Sequence, residues 1–376
     1  MRALNAPTPR AKGVAHRRRF DRVHRASARH PRAAANEESA IAYLRRQIPA
    51  VHFPAFRRSL PSMAGKTVAI TGTTSGTGQV AAHTLAGLGA TVLLLNRPSP
   101  RADAALREVL AAHPLARAVG VACDLQSFDS VRRAAARVRE LCPDGLDALC
   151  NNAGVMALRD QATPDGFDVQ MQTNHLSHFL LTAEVFERLE RAASARGEAR
   201  IVNHSSIARM SPSRRLRPEY LEKRGGRLGG DGRGLFVNGA RWLRYNQSKL
   251  ANAAFTAALH ERLARRGSAV KALVAHPGVA DTELQVTSVR EGGMVASVTA
   301  PFMRLAQSME DGAIGILGCL CLPGMPSGTF YGPGSSFLAF RGPARPFALE
   351  SFYDNPATRE VLWSKSCEAL GRGFLD

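Results

Sequence analysis

Short apolar, β-branched runs alternate along this chain of 376 residues with longer stretches that are rich in Ala, Leu and Arg. Strands and helices that alternate in this way form βαβ units, whose parallel sheet is covered by helices on both faces. The sequence therefore predicts a doubly wound, single α/β domain over residues 66–376, with an N-terminal extension. The predicted strands are Thr67–Thr71, Thr91–Asn96, 118–122, 147–151, 200–205, 269–275 and 328–332.

The segment before this domain has a different pattern. Residues 1–35 lack apolar periodicity and contain ten Lys or Arg residues against one acidic residue, Asp21. Such a composition is typical of an organellar transit peptide, and equally of a disordered basic extension. The first interpretation predicts a chloroplast or another organelle as the location, and the second predicts the cytoplasm.

Residues 36–65 mix apolar and basic side chains. Ile41, Leu44 and Ile48 follow one another at helical spacing, which predicts a short amphipathic helix that ends before Pro49. We expect its apolar face to pack on the domain; the alternative is peripheral contact with a membrane.

The charge of the whole chain is strongly positive, at +19. A basic surface attracts nucleic acid, but no nucleic-acid-binding motif accompanies it, so we expect no nucleic-acid partner. The six cysteines do not have metal-ligand spacing, and His175 and His178 share their helical turn with no carboxylate. We therefore expect no metal site.

A glycine-rich turn, from Gly72 to Gly78, follows the first predicted strand and precedes an Ala/Leu-rich helix. Glycines let the backbone approach a pyrophosphate, and the helix N-terminus offers free N–H groups, so this context predicts dinucleotide binding. The next strand ends at Asn96-Arg97, where an acid would hold the 2′-hydroxyl of NAD. Arg97 instead favours a 2′-phosphate, which predicts NADP(H) as the cofactor; the alternative is a surface arginine at the start of a loop.

Tyr245 and Lys249 are four residues apart in a predicted helix and therefore share one face. A cation one turn away stabilises a phenolate and lowers the tyrosine pKa, which is the requirement for acid–base catalysis by tyrosine. The alternative is an ordinary solvated helix pair. Three strands end in polar or glycine-containing turns at Asn151–Gly154, Ser205-Ser206 and His276–Gly278, and the carboxyl ends of parallel strands meet at one edge.

These motifs occur in an order that resembles the short-chain dehydrogenase/reductase family, from about Lys66 to Arg341. The similarity is strongest to retinol-dehydrogenase-like, WW-domain-oxidoreductase-like and protochlorophyllide-reductase-like members. The resemblance implies a Rossmann-type fold and an enzyme. It also implies catalytic roles for four residues, with Ser205 as the alternative to the serine named here: Asn174, Ser206, Tyr245 and Lys249.

The resemblance and the turn chemistry together give the predicted cofactor contacts. They are Thr71, Gly72, Thr74, Ser75, Gly76, Thr77, Gly78, Arg97, Asp124, Leu125, Asn151, Ala153, Gly154, Tyr245, Lys249, Pro277, Gly278, Val279 and Thr282.

Two features concern the substrate. Residues 210–241 are rich in Arg and Gly, are predicted as a long loop, and separate Ser206 from Tyr245 by more than is usual in this family. The apolar stretch 294–305 is predicted to cover an apolar substrate.

The expected activity is hydride transfer between NADP(H) and the carbonyl or alcohol of a small retinoid-, steroid-, lipid-aldehyde- or pigment-like molecule. The alternatives are a C=C reductase of a tetrapyrrole-like pigment and a non-catalytic NADP(H)-sensing or scaffold protein. The oligomeric state stays open between a monomer and a homodimer.

Overall fold

One eight-stranded sheet organises the chain, in the strand order β3-β2-β1-β4-β5-β6-β7-β8. The computed structural model describes residues 48–210, 213–232, 238–294, 303–334 and 339–375. All neighbouring strands pair in parallel except β7 and β8, which are antiparallel. The strands are β1 Thr67–Thr71, β2 Thr91–Asn96, β3 Arg117–Ala122, β4 Ala148–Asn151, β5 Ala199–His204, β6 Val270–Ala275, β7 Thr329–Gly332 and β8 Arg345–Ala348.

Helices lie between the strands, as the alternating pattern predicts. They are α1 Phe53–Ser59, α2 Gly76–Gly87, α3 Pro100–Ala112, α4 Phe128–Leu141, α5 Ser177–Arg196, α6 Ala240–Arg265, α7 Glu283–Arg290, α8 Met309–Cys321 and α9 Pro356–Leu370. A short helical turn, Val169–Met171, and a π-helical turn, Gln172–Leu176, lead directly into α5. Among the described residues, no helix is both long and apolar enough to cross a membrane.

Alternate side chains of the strands pack into two separate cores. Val68 and Ile70 of β1 lie in the core formed with α2 and α8. Ala69, between them, lies in the core formed with α4, α5, α6 and α9. This period of two residues places apolar side chains on both faces of a strand that is buried between helices. The predicted doubly wound α/β fold is therefore confirmed.

The last strand, β8, is missing from the sequence-based prediction. It has four residues, Arg345–Ala348, and lies at the edge of the sheet beside β7. Its sequence begins Arg-Pro, and proline is confined to edge strands because it cannot donate to the ladder. A short, largely exposed edge strand with a proline has no apolar alternation to detect.

The segment before β1 packs against the domain where it is described. Residues 1–47 lie outside the described residues, so the transit peptide and most of the predicted amphipathic helix stay predictions. Asp311 of α8 accepts hydrogen bonds from the backbone N–H groups of Val51, His52 and Phe53, at 2.8, 2.9 and 2.7 Å. The Phe53 side chain is buried in the core beside α2 and α8.

The predicted insertion is largely irregular, but it is not a loose loop. Its described part contains a short 3₁₀ turn, Pro218–Leu221, and α6 begins at Ala240, one residue before the predicted end of the loop. Residues 211–212 and 233–237 lie outside the described residues. The side chains of Leu216, Leu221 and Leu228 are buried in the core that contains α6 and α9. The insertion therefore forms part of the folded domain.

Candidate active site

Four parallel strands, β1, β4, β5 and β6, end at one cleft of about 540 Å³. The turn after each strand contributes lining residues: Gly72 after β1, Ala153 and Gly154 after β4, Ser206 after β5 and Gly278 after β6. This is the carboxyl edge, where ligands bind in open α/β sheets.

The glycine-rich turn forms one end of the cleft. Gly72 and Gly76 have positive φ angles of 72° and 60°, a conformation that costs glycine nothing. A Cβ atom on Gly72 would also lie 2.8 Å from the Cβ of Ala153, so the close approach of the two turns needs glycine. Ser75, Gly76 and Thr77 face the cleft at the start of α2, where N–H groups and the helix dipole favour an anion.

Two asparagines that the sequence analysis missed hold this turn. Asn96 accepts a hydrogen bond at Oδ1 from the Thr73 N–H at 2.8 Å. Asn152 donates from Nδ2 to the carbonyls of Thr71 and Gly72, at 2.9 and 3.1 Å. Both residues stand at the end of a strand, and such a buried amide in an otherwise apolar run is the signal that could have found them.

Arg97 and Arg101 lie at the rim of the same end of the cleft. Both side chains are exposed. An anionic group bound at this rim would therefore meet two guanidinium groups.

Ser206, Tyr245 and Lys249 all line the cleft. The Ser206 hydroxyl lies close enough to the Tyr245 phenol to lower the pKa of the phenol, although the insertion separates the two residues in sequence. The Lys249 ammonium nitrogen lies 5.9 Å from the centre of the Tyr245 ring and donates to the His204 carbonyl at 3.0 Å. Ser205 also lines the cleft, but its hydroxyl group donates to the Lys249 carbonyl at 2.7 Å. Ser206 is therefore the serine whose hydroxyl group faces Tyr245.

A buried ion pair fixes the backbone after β5. Arg209 donates to the Ser206 carbonyl at 2.9 Å and binds Glu350 through two hydrogen bonds of 2.7 Å. Its guanidinium group lies 4.3 Å from the ring centre of Phe330 in β7. The C-terminal part of the chain thus positions the turn that carries Ser206, a link that no motif in the sequence indicates.

Asn174 lies behind the cleft rather than in its lining. It accepts from the Val155 N–H at 2.8 Å, and it donates to the Val155 carbonyl at 2.9 Å and to Ser248 Oγ at 2.8 Å. A Cβ atom on Gly154 would lie 3.1 Å from Asn174 Oδ1 and 3.3 Å from Lys249 Nζ. The π-helical turn that carries Asn174 thus supports the wall beside Lys249, and such turns occur often at functional sites.

The other predicted residues divide into two groups. Those that line the cleft are Gly72, Thr74, Ser75, Gly76, Thr77, Arg97, Ala153, Gly154, Pro277, Gly278, Val279 and Thr282. Thr71, Gly78, Asp124, Leu125 and Asn151 do not line it. Thr71 Oγ1 instead accepts from the N–H groups of Asn152 and Ala153, both at 3.0 Å, and so holds the turn from beneath.

The acid–base properties of the site differ from the expectation in one respect. Burial raises the pKa of Tyr245 to about 12, and the nearby Ser206 hydroxyl lowers it only in part. The predicted depression of this pKa by Lys249 is therefore wrong for the protein alone, because the loss of water around the phenolate is the largest influence on it. Burial also lowers the pKa of Lys249, to about 8. At neutral pH the phenol keeps its proton and the lysine is mostly charged.

The far end of the cleft is apolar. Met156, Trp242, Met294, Met303 and Phe340 line it beyond Tyr245. The predicted covering stretch 294–305 lies mostly outside the described residues, but its members Met294 and Met303 stand at the cleft wall. The site therefore joins a polar, anion-favouring end to an apolar end, with the hydroxyls and the lysine between them.

The histidines beside Asn174 have ordinary structural partners. His175 Nε2 lies 2.9 Å from Ser366 Oγ, and His178 Nε2 lies 2.9 Å from Thr71 Oγ1. Burial lowers the pKa of these imidazoles to about 3 and about 4. Both side chains are therefore neutral and contribute to packing.

Sequence comparison with known proteins identifies related dehydrogenases. The sequence profile of the family described as short chain dehydrogenase matches residues 66–218. The chain is 32% identical over 310 residues to retinol dehydrogenase 12 of Mus musculus, covering 82% of this chain and 87% of that protein. It is 34% identical over 232 residues to the chloroplastic short-chain dehydrogenase TIC 32 A of Brassica napus, covering 58% of this chain and 65% of that protein.

A solved structure supports the same assignment. The crystal structure of an uncharacterized protein from Mycobacterium paratuberculosis matches with a TM-score of 0.65 and 32% identity, covering 85% of this chain and 98% of the other. The fold, the order of the motifs and these similarities agree. The chain belongs to the short-chain dehydrogenase/reductase family of oxidoreductases.

Proposed function

We propose that this protein transfers a hydride between NADP(H) and the carbonyl or alcohol group of an apolar small molecule. The observation that carries the proposal is the contact of Ser206 with Tyr245 beside Lys249, between an anion-favouring turn and an apolar wall. The residues fit a dinucleotide, because the turn at Gly72 has no room for a Cβ and the start of α2 faces the cleft.

Side chains of the protein supply the proton that the reduced substrate needs. When bound, the nicotinamide supplies the hydride in the reductive direction. Tyr245 then donates its phenolic proton to the substrate oxygen, and Ser206 holds that oxygen by a hydrogen bond. Lys249 places a positive charge near the phenolate that forms, and its own position is fixed by the His204 carbonyl at 3.0 Å. The apolar wall excludes water and strengthens these interactions.

The proposed substrate class rests on the far end of the cleft and on the relatives. Met156 and Trp242 form an apolar surface next to Tyr245. Relatives named retinol dehydrogenases match most of this chain. A retinoid, a steroid ketone or a long-chain aldehyde therefore fits best.

A substrate panel tests the proposal. All-trans-retinal, a steroid ketone, a long-chain aldehyde and a tetrapyrrole with a reducible C=C bond would be incubated with the protein and NADPH. The loss of reduced-nicotinamide absorbance is the measurement. We expect turnover with at least one apolar carbonyl compound; turnover of the tetrapyrrole alone would favour the C=C reductase alternative. Binding of NADPH without any turnover would favour the sensor alternative.

Arg97 should decide the choice of cofactor. We expect NADPH to bind about tenfold or more tightly than NADH, because a guanidinium–phosphate hydrogen bond is charge-assisted. Replacing Arg97 by Asp should reverse the order, since a carboxylate repels the phosphate and binds a ribose hydroxyl. Titration of both cofactors into both proteins measures this. Arg117→Asp, an exposed change at the start of β3 and away from the cleft, is the control. Equal affinity of the unmodified protein for both cofactors would contradict the assignment.

Lys249 should set the alkaline limit of activity. Its pKa is lowered to about 8, whereas that of Tyr245 is raised to about 12, so Lys249 loses its proton first as the pH rises. We expect kcat/KM for NADPH in carbonyl reduction to be constant below about pH 7 and to fall above about pH 8. This ratio reports groups of the free enzyme. A profile that stays flat up to pH 10 would exclude Lys249 as the titrating group.

A further inference from the structure

Trp242 of α6 lies about one helical turn before Tyr245 and lines the cleft beside it. The two residues are three positions apart, so their side chains share one face of the helix. Their rings meet edge to face, with the ring centres 5.7 Å apart and the planes at 85°. The indole is only 6% exposed. A large side chain thus stands directly beside the proposed proton donor.

The single polar group of the indole is already engaged. Trp242 Nε1 donates to the Gly293 carbonyl at 3.0 Å, and an indole ring has no acceptor. Arg241, the preceding residue of α6, donates to the Glu291 carbonyl at 2.8 Å. Two hydrogen bonds therefore hold the segment after α7 against the start of α6. The surface that Trp242 offers to the cleft consists of carbon, which suits an apolar group.

The backbone around the indole is also fixed. A Cβ atom on Gly293 would clash with the carbonyl oxygen of Ala157, so these two segments touch through their main chains. Ala157 has a φ angle of 52°, a conformation that residues with a side chain rarely adopt and that surrounding contacts must hold in place. Met156, Ala157, Trp242 and Tyr245 form one buried cluster. Because closely packed groups resist added volume, this wall does not yield to a bulkier ligand without cost.

We propose that Trp242 is a specificity-determining residue, whose indole limits the width of the cleft beside Tyr245 and excludes compounds with a branch on the carbon next to the carbonyl group. This inference rests on the proposed function. A carbonyl oxygen that takes the Tyr245 proton brings that neighbouring carbon against the side chains around Tyr245. Trp242 is the largest of the described side chains that line the cleft. The proposed substrates are thereby narrowed to those that are unbranched at this position.

Two aldehydes that differ by one methyl group, decanal and 2-methyldecanal, test the proposal. The measurement is the ratio of their kcat/KM values with NADPH. We expect the unmodified protein to prefer decanal by about tenfold or more, because one carbon in a close-fitting apolar pocket changes kcat/KM by roughly 10–200-fold. Trp242→Ala should bring this preference below about threefold, since it removes the wall against which the methyl group lies.

Trp363→Phe is the matched control. It changes the other of the two tryptophans in the chain, which is buried against Phe179 at 5.0 Å between ring centres and does not line the cleft. The control should keep the preference of the unmodified protein. General damage to the fold by Trp242→Ala would lower both kcat/KM values together and leave their ratio unchanged, and that result would overturn the proposed role of Trp242.

A binding measurement makes the test independent of turnover. In Trp363→Phe the only remaining tryptophan is Trp242, so the fluorescence of the variant reports on the wall of the cleft. NADP⁺ has no hydride to give, and both aldehydes can therefore be titrated into the NADP⁺-bound variant without reduction. We expect decanal to change the fluorescence at about tenfold lower concentration than 2-methyldecanal. Equal affinity for the two aldehydes, binding of neither, or binding that calorimetry detects without a fluorescence change would overturn the inference. Aldehyde binding with this preference, but no reduction of any carbonyl compound by NADPH, would instead contradict the proposed function.

Discussion

Replacing Tyr245 by phenylalanine is expected to lower the turnover of carbonyl substrates by roughly 10²–10⁴, the range typical of a lost general acid. The change removes only the hydroxyl group. The ring should keep its packing against Trp242, whose centre lies 5.7 Å away, and against Met156. We therefore expect NADPH affinity and thermal stability close to those of the unmodified protein. Steady-state kinetics, cofactor titration and thermal unfolding are the three measurements.

Tyr331→Phe is the matched control for this prediction. Tyr331 is also a buried tyrosine, but it lies in β7 and does not line the cleft. The control should turn over normally. If Tyr245→Phe also turned over normally on a confirmed substrate, the proposed proton transfer would be wrong even though the fold and the family are established.

The position of the site follows from the sequence because it depends on topology. Once the strands are recognised, the carboxyl ends of parallel neighbours must share an edge. The turns at Gly72, Gly154, Ser206 and Gly278 therefore had to converge, whatever the length of the insertion between Ser206 and Tyr245. The ends of β1 and β2 were predicted to the residue, because a turn residue follows each apolar run at once.

Three features could not be predicted from the sequence: the raised pKa of Tyr245, the Arg209–Glu350 ion pair and the packing of the insertion. Each depends on burial or on contacts between residues that are far apart in the chain. The pKa of Tyr245 rises because the side chain is 5% exposed, and a Tyr-x-x-x-Lys spacing contains no information about water. Glu350 reaches Arg209 across 141 residues, and no local pattern connects them. The insertion looked like a loop because Leu216 and Leu221 stand alone among arginines and glycines, without helical or strand periodicity.

Arg244, which directly precedes Tyr245 on α6, connects this insertion to the catalytic helix. Its side chain is fully buried, and it donates to the carbonyls of Leu228 and Gly230, both at 2.9 Å. Its Nε lies 3.3 Å from Asp168, which is also fully buried. Asp168 in turn caps the short helical turn before Asn174, accepting from the Met171 N–H at 2.9 Å.

Replacing Arg244 by methionine is expected to lower the free energy of unfolding by about 3–5 kcal/mol, because a buried carboxylate and three carbonyls, those of Leu158, Leu228 and Gly230, lose their partner. Urea unfolding at pH 7 measures the loss. The matched control is Arg265→Met on the same helix. The Arg265 side chain is 64% exposed and pairs with Glu261 at 2.9 Å, so its loss should cost less than about 1 kcal/mol. Equal stability of the two variants would show that Arg244 does not hold the insertion.

The pH dependence and a double variant identify the source of the loss. Burial raises the pKa of Asp168 to about 6 even though the Arg244 charge lowers it, so removing Arg244 should raise it further. The native variant then binds a proton that the unfolded chain, with a carboxyl pKa near 3.8, does not hold. Its stability relative to the unmodified protein should therefore increase as the pH falls from 7 towards 4.

Adding Asp168→Asn to Arg244→Met should recover part of the loss at pH 7, because the amide oxygen can still accept from the Met171 N–H while the unpaired charge is gone. The same addition should remove most of the extra pH dependence. A double variant that is no more stable than Arg244→Met would place the whole loss in the carbonyls that Arg244 binds. In that case the ion pair would contribute nothing to holding the insertion against α6.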